Sequence, residues 1–554
     1  MTLPATIKPS VGPSIITRAT RLFNGTLGDI LTELLQNARR AEASIVEIML
    51  DDTEDGATLT LADDGTGIDD PSALLTLGHS GWDAAVAARE DPAGMGLFSL
   101  AGRHARVQSF SRTEQRGWEV DIPADGWEGK FSLGIRPAPI ARGTRIIIDL
   151  PDDWTKAVEG AVRAAASYYP VPVRFNGAPL KQGDFLEGAV RVEDWRGCRI
   201  GIFCKTASEP SNSPRINFHG LTVPCPMPLV SEGNSFGKWT ARVDIIDAPQ
   251  LQLVLPARKE MVENAALGDL RRAVEAAVYR AIAAQGDHRL AHKDWLRALD
   301  LGVPLPEAAP WLEAWLPMTA DSLGREIGGP VRGDAMIIVP AFAADLEQGL
   351  ACAVGDGKSL GGPLVCGIAA FEGYSWYDGL ARLYTLEFGV TKNGNVLRFS
   401  EEQPSIPGFV SGPVDALFAE IRIIRSEGEG EVADTHRLPI DMLVCEDEGY
   451  DLDEALVLIA EGASIDPLAL AWQIEKSLFC YNDDSDSWDT QHRNFEERAL
   501  HLAYELVLGE EGAALERIRG AVQREIAWLI PADQTLTLTA TRADAVLDLR
   551  ASAS

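Results

Sequence analysis

Glu33 and Asn37 stand four residues apart in LGDILTELLQNARR, which puts a carboxylate and an amide on one face of a helix. Such a pair can hold a water and a Mg2+ together, with Asn37 as metal ligand and Glu33 orienting and deprotonating the water. Three further signals follow in order: Asp63-Asp64-Gly65-Thr66-Gly67, then Gly94-Met95-Gly96-Leu97-Phe98-Ser99, then Gly143-Thr144. Each suits part of a nucleotide. A buried Asp63 accepts from an exocyclic adenine amine, and the Thr144 hydroxyl supports the same base. Gly65 and Gly67 let backbone approach the ring. Gly94 and Gly96, leading into a helix that carries Ser99, offer N–H donors and a positive helix end to phosphate oxygens.

The elements that must position these groups can be read from periodicity. Leu27, Ile30, Leu31, Leu34, Leu35 and Ala38 recur at helical spacing behind a capping Thr26, giving one amphipathic helix. SIVEIML and ATLTLADDGTGI read as two strands joined by a turn, and the second delivers Asp63 at its end. Residues 71–93 read as helical and polar, AGMGLFSLAGRHARVQSF as a turn, helix and strand, and RGTRIIIDL as the strand closing a first domain near residue 150. A helix over 151–168, an Asn-Gly hairpin in VRFNGAPL, four strands and a helix over about 262–285 make an α+β second domain. Residues 286–430 read as a third α+β part of unknown role, and 431–554 as an acidic, mainly helical region. The expected fold class is α+β throughout.

The 554 residues are 46% hydrophobic and 24% charged, which fits folded domains and excludes wholesale disorder. No apolar run is long enough to span a bilayer, and the first residues lack the basic and apolar blocks of a signal peptide, so the expected address is cytoplasmic, without membrane. Seven scattered cysteines without CxxC spacing suggest reduced thiols rather than a disulfide framework or zinc site. The net charge is −32, and residues 401–554 hold 11 basic against 32 acidic groups, which repels phosphate backbones. Nucleic acid is an unfavourable partner there, although residues 151–285, with 16 basic against 15 acidic groups, stay open to it. Gly355-Asp356-Gly357-Lys358-Ser359 resembles the end of a P-loop but has Cys352 where the first Gly belongs, which favours a surface turn. The acidic run from Asn482 to Asp489 lacks the Gly and the closing Glu of an EF-hand and reads as a solvated loop. Tyr374-Ser375-Trp376-Tyr377 reads as packing, with a binding patch as its alternative, and Lys205 is a weaker phosphate-contact candidate.

Taken together, ELLQN, DDGTG, AGMGLFS and GT resemble the motifs of the Bergerat-fold (GHKL) ATPases, with Hsp90 as the nearest branch. The resemblance covers about residues 14–150 and implies helices on a mixed β-sheet, ATP and Mg2+ as cofactors, slow hydrolysis, and a homodimeric clamp acting chaperone-like on protein clients. By the same resemblance His79 takes the place of a lid lysine near phosphate, and residues 151–285 become a transducer-like middle domain. LVLPARKEMVENAALGDL is similar to the Hsp90 middle-domain segment whose Arg reaches the γ-phosphate, which implies that role for Arg258. Two departures stand out: Arg40 occupies the position where the family has an Asp, and Lys259 interrupts the Arg-Glu pair. The other functions kept open are a nucleic-acid-linked clamp like MutL or the MORC ATPases, and a nucleotide-gated sensor or defence module with little turnover.

Overall fold

The computed structural model describes residues 26–53, 56–76, 96–128, 130, 132–205, 213–233, 237–254, 259–321, 326, 328–355, 360–403, 408–427, 430–445, 452–453, 455–482 and 486–551. The chain divides into two compact units between Ala308 and Ala309.

In the first unit, helix α1 (Leu27–Arg40) starts at Thr26, whose Oγ1 accepts from the Asp29 N–H at 3.2 Å while Asp29 Oδ2 accepts from the Thr26 N–H at 3.0 Å. This reciprocal box satisfies two donors of the first turn and contributes about 1 kcal/mol. The apolar stripe expected from the sequence is the buried face, with Leu27, Ile30, Leu31, Leu34, Leu35 and Ala38 in the core. Each large side chain there adds roughly 1.5–3 kcal/mol of burial.

The stripe rests on a sheet of eight strands: β1 (Val46–Thr53), β2 (Gly56–Asp63), β3 (Ala105–Ser111), β4 (Arg116–Ile122), β5 (Ile135–Pro137), β6 (Thr144–Leu150), β7 (Val173–Phe175) and β8 (Ala178–Pro179). Their order is β5-β4-β3-β6-β2-β1-β7-β8, antiparallel except where β1 meets β7 in parallel, so the sheet is mixed. Helix α2 (Val158–Ala166) lies beside α1. Sheet and core therefore continue past residue 150 to Pro179. The Asn-Gly signal is the β7–β8 turn, with Asn176 at φ 49° and Gly177 at φ 78°. The helix expected after Gly96 is a single 3₁₀ turn, Gly96–Leu100, packed on α1 with Phe98 edge-on to Trp127.

A second sheet follows, built from β9 (Arg191–Trp195), β10 (Cys198–Lys205), β11 (Ile216–Phe218), β12 (Leu221–Val223), β13 (Val230–Ser231) and β14 (Lys238–Ile245), in the order β12-β11-β14-β10-β9 with β13 on β14. Helix α3 (Ala265–Ala283) buries Leu267, Leu270, Val274, Val278 and Ile282 over it, and α4 (His292–Asp300) completes that core.

The second unit opens with β15 (Trp311–Glu313), β16 (Pro330–Arg332) and β17 (Ile337–Val339), followed by helix α5 (Ala344–Val354), β18 (Leu364–Cys366), β19 (Ala381–Lys392), β20 (Asn395–Ser400), β21 (Gly412–Val414), β22 (Ala416–Glu427), β23 (Gly430–Ile440), β24 (Met442–Cys445) and β25 (Leu456–Ala460). The main sheet runs β18-β17-β19-β22-β23, with β20 on β19, and a smaller one runs β21-β25-β24. Helices α6 (Pro467–Leu478) and α7 (Trp488–Glu525) pack together, α7 broken at Gly509 (φ 73°), and the hairpin β26 (Gln534–Ala540) and β27 (Ala545–Ala551) ends the described chain. The whole is α+β with mixed sheets, the expected class. Tyr374 and Tyr377 are buried against Phe371, the packing reading of that aromatic run. Gly355 closes α5, while residues 356–359 and 483–485 lie outside the described residues.

Candidate functional site

Alternation carries four polar side chains onto the core face of three adjacent strands at one end of the first sheet. On β2 the buried residues Ala57, Leu59 and Leu61 lead at period two to Asp63. On β6 the buried series Thr144, Ile146, Ile148, Leu150 begins with the hydroxyl, and on β3 Ala105 and Val107 lead to Ser109 and Ser111. Register aligns Asp63 with Thr144 and Thr144 with Ser109. Ser109 Oγ and Thr144 Oγ1 share a hydrogen bond of 2.9 Å, and Ser109 Oγ also donates to the Gly143 carbonyl at 3.2 Å.

Loops lock this row in place. The Gly65 N–H donates to Asp63 Oδ1 at 2.8 Å, and the Thr66 N–H donates to the Ala41 carbonyl at 2.8 Å, which ties the loop after Asp63 to the end of α1. A side chain at Gly65 would meet Ala41 O at 2.5 Å; one at Gly67 (φ 76°) would meet Phe110 O at 2.2 Å. Protein packing thus accounts for both glycines. The Ile68 N–H donates to Ser109 Oγ at 2.9 Å, Trp118 Nε1 donates to the Ile68 carbonyl at 2.9 Å, and Asp69 accepts from Ser111 and Thr113.

Asp63 and Asp64 are neighbours with opposite electrostatics. Asp64 accepts from the Ser44 N–H at 2.7 Å and the Ile45 N–H at 3.2 Å and pairs with Arg142 at 3.1 Å, contacts that hold its pKa below the usual range despite some burial. Burial pushes Asp63 up to about 6, against the opposing hydrogen bonds from the Gly65 and Thr144 backbone and with a small push from Asp64. Yet Asp63 keeps part of its surface accessible. A carboxylate crowded by protein but still reachable is one that a ligand's hydrogen-bond donor would stabilise.

Glu33 and Asn37 are part-buried on α1, whose last turn lies against the loop following Asp63. Asn37 Oδ1 accepts from Arg40 Nη1 at 3.2 Å, and Arg40 is 8% exposed. Between Glu33 and Asn37, the buried Gln36 donates from Nε2 to the His219 carbonyl at 2.7 Å, reaching the turn between β11 and β12. Tyr169 donates from its hydroxyl to the Leu35 carbonyl at 2.6 Å. Ser99 is buried in the 3₁₀ turn that begins at Gly96. Gly94, His79 and Arg258 lie outside the described residues. Sequence reading passed over Ser109, Gln36 and Tyr169. For Ser109 the signal was present: in ARVQSFS, two serines continue the core-facing alternation.

Compared with known proteins, the chain matches no family model. It is similar to the chaperone protein HtpG of Desulfotalea psychrophila (strain LSv54 / DSM 12343), 30% identical over 157 residues, and the match spans 24% of each chain. It also has a structural likeness to the ATPase region of Saccharomyces cerevisiae topoisomerase II bound to ICRF-187 (dexrazoxane), with 12% identity, a TM-score of 0.32, and coverage of 43% of this chain and 78% of that one. The HtpG similarity supports a GHKL/Bergerat-type ATPase fold. Among the described residues no helix is long and apolar enough to cross a membrane.

The resemblance also implies Mg2+. Among the described residues no group of three or more His, Cys, Asp or Glu side chains is arranged to hold a metal, so Asn37 would serve as a lone protein ligand. Its Oδ1 already accepts from a buried, permanently charged guanidinium. The Glu33 carboxylate stands one turn before Asn37 on the same helix, so Asn37 Oδ1, with Glu33 beside it, would be the group to hold a Mg2+ there.

Proposed function

We propose that the row Ser109, Thr144, Asp63 and the α1 pair Glu33 and Asn37 form an ATP site, and that the chain is a slow ATPase whose turnover drives a conformational clamp, Hsp90-like and acting on protein clients as a homodimer. The observation that carries this reading is Asp63: a core-face carboxylate raised to about 6, part-accessible, and backed by a hydrogen-bonded hydroxyl pair. An exocyclic amine donating to it offsets the desolvation that raised it, and adenine carries that amine at the edge where guanine has an acceptor.

Glu33 takes the water: it stands one helical turn before Asn37, within the helix that also buttresses the loop after Asp63. Gly94, Gly96 and Ser99 take the phosphates in this reading, with His79 beside them. Arg258, on the second domain, meets the γ-phosphate and so makes hydrolysis depend on that domain. The acidic balance of residues 401–554 speaks against a nucleic-acid clamp.

The test measures ATP affinity and single-turnover hydrolysis on the full chain and on Glu33→Ala. The variant is expected to bind ATP normally and to hydrolyse it at least about 10²-fold more slowly. Hydrolysis by Glu33→Ala at the wild-type rate removes Glu33 from the reaction, and absence of ATP binding by the folded wild-type chain overturns the whole reading.

A further inference from the structure

We infer that His104 is a proton-held latch on the first sheet: charged, it ties the start of β3 to both β4 and β6, and on losing its proton it lets go of β4 alone. The inference stands apart from the ATP reading.

The imidazole lies between two acids. Nδ1 is 2.7 Å from Asp149 Oδ2 on β6, and Nε2 is 3.0 Å from Asp121 Oδ1 on β4. An ionised carboxylate only accepts, so both ring nitrogens have to donate, whereas a neutral imidazole has a single N–H to give. The imidazolium alone satisfies both contacts. Backbone fixes the ring in this place: the Asp149 N–H donates to the His104 carbonyl at 3.2 Å, and alternation from the buried Ala105 and Val107 puts His104 and Arg106 on the opposite, open face.

Among the described residues the charged groups facing the ring are Asp149 of β6, Asp121 of β4 and Arg106 of β3, whose Nε donates to Asp121 Oδ1 at 3.3 Å. Arg103 is turned to the Trp154 ring, 4.3 Å from its centroid. Despite some burial, His104 and Arg106 hold Asp121 below the usual carboxylate range. The Asp149 hydrogen bond in turn raises His104 above the ordinary imidazole value, against partial burial and with help from Asp121.

Loss of one proton leaves one N–H. It stays with Asp149, the shorter contact and the one the backbone bond also holds, so the lone pair on Nε2 faces the Asp121 carboxylate and is repelled. Since β5 and β4 form one end of the sheet, the loosening is confined to that edge. The latch is fully closed below the ordinary imidazole value and opens as pH rises through the raised folded one.

The experiment follows the full chain, labelled with 13C-histidine, by NMR from about pH 5 to 9, with the His104 resonance assigned by its loss in His104→Gln. Its midpoint is expected above that of free imidazole, and it should fall in Asp149→Asn and in Asp121→Asn. Hydrogen exchange then reads the release. Below the midpoint, wild type should protect the β4 amides at least about threefold better than His104→Gln, and above it the two should agree. A midpoint at or below that of free imidazole overturns the inference, as does one that neither Asp variant moves. A β4 difference of equal size on both sides of the midpoint also overturns it, because His104 would then be a strut indifferent to pH. Circular dichroism identifies a variant that fails to fold; if His104→Gln does, the wild-type titration and the two Asp variants decide. Neither readout uses nucleotide, so these results leave the ATP reading where it stands.

Discussion

Each unit of the molecule buries an acid, and the two are buried differently. Glu347 in α5, with no exposed surface, accepts from the Met318 N–H at 2.9 Å and the Phe342 N–H at 3.1 Å. Its partners are backbone donors from the segments it joins, so the carboxylate is a strut within the second unit. Asp63 in the first unit also accepts from backbone, yet desolvation outweighs those bonds and its pKa rises to about 6. An acid whose surroundings repay its burial is structural; one left in deficit while still reachable awaits a donor. Asp64, adjacent to Asp63 but clasped by Ser44, Ile45 and Arg142, shows that sequence proximity does not decide which kind an acid is.

The sharpest break of this contrast comes from Glu347→Ala. Two part-buried N–H groups lose their acceptor and a cavity opens, which should cost about 3–5 kcal/mol in the unfolding of the second unit. Denaturant unfolding checks it, and ATP affinity is expected to stay within about twofold. A Glu347→Ala chain as stable as wild type would show that Glu347 is no strut.

Asp63→Asn should do the reverse. ATP affinity falls tenfold or more, since the adenine amine loses an acceptor in a site worth about 1–3 kcal/mol, while stability at neutral pH holds or rises because the desolvated charge is gone. Calorimetry and thermal unfolding on the same sample separate the two effects. Unchanged affinity takes Asp63 out of the site.

Next in size is the dependence on pH. The folded Asp63 binds its proton up to about 6, whereas in the unfolded chain it ionises near 3.8. Below the lower value both states are protonated and the burial is free. As pH rises between the two values the unfolded chain releases the proton first, so stability falls by about 3 kcal/mol and levels off above the upper value. Asp64, Asp69 and Asp121 have lowered values and act in the opposite sense, so the measurement is the difference between wild type and Asp63→Asn from pH 4 to 7.5. An amine donor favours the ionised form, so ATP affinity should climb with pH up to about 6 in wild type and not in the variant. A difference curve that stays flat removes the deficit on which the contrast rests.

Much of the fold around the candidate site was legible because it depends on local patterns. The α1 stripe, the strand ending at Asp63 and the Asn-Gly turn at residues 176–177 need only periodicity and turn chemistry. What escaped depends on distant residues meeting: Gln36 and His219 are 183 positions apart, and Tyr169 and Leu35 are 134 apart. In the second unit β23 is polar along most of its length, so GEVADTHRLPI carries no strand alternation. The C-terminal region expected to be mainly helical does contain α6 and α7, but it also holds β25 and the hairpin β26–β27. There Leu547 and Leu549 are more than half exposed, so burial leaves no clear mark on the pattern.

The smallest effect is also the strictest test of the contrast. Gln36 lies between Glu33 and Asn37 on α1 and is 3% exposed, close enough in sequence to the proposed chemistry to be mistaken for part of it. Its amide is satisfied: Nε2 donates to the His219 carbonyl at 2.7 Å, at a turn where His219 adopts φ 54° and Gly220 φ 99°. A side chain at Gly220 would come within 2.8 Å of Tyr169 Cα, so this turn is seated closely on the first domain. By the rule drawn from Glu347, a satisfied buried group is a strut. Gln36→Ala should therefore destabilise the first unit by about 1–2 kcal/mol, mainly by leaving the His219 carbonyl without this donor, and should change ATP affinity by less than about threefold. Hydrolysis should slow more than binding weakens, because the lost bond ties the helix carrying Glu33 to the domain that supplies Arg258 in the proposed cycle. Unfolding, calorimetry and single-turnover rates on one variant resolve the three effects. An ATP affinity that falls tenfold with stability unchanged would place Gln36 in the nucleotide site, and satisfaction of a buried polar group would then no longer mark it as structural in this protein.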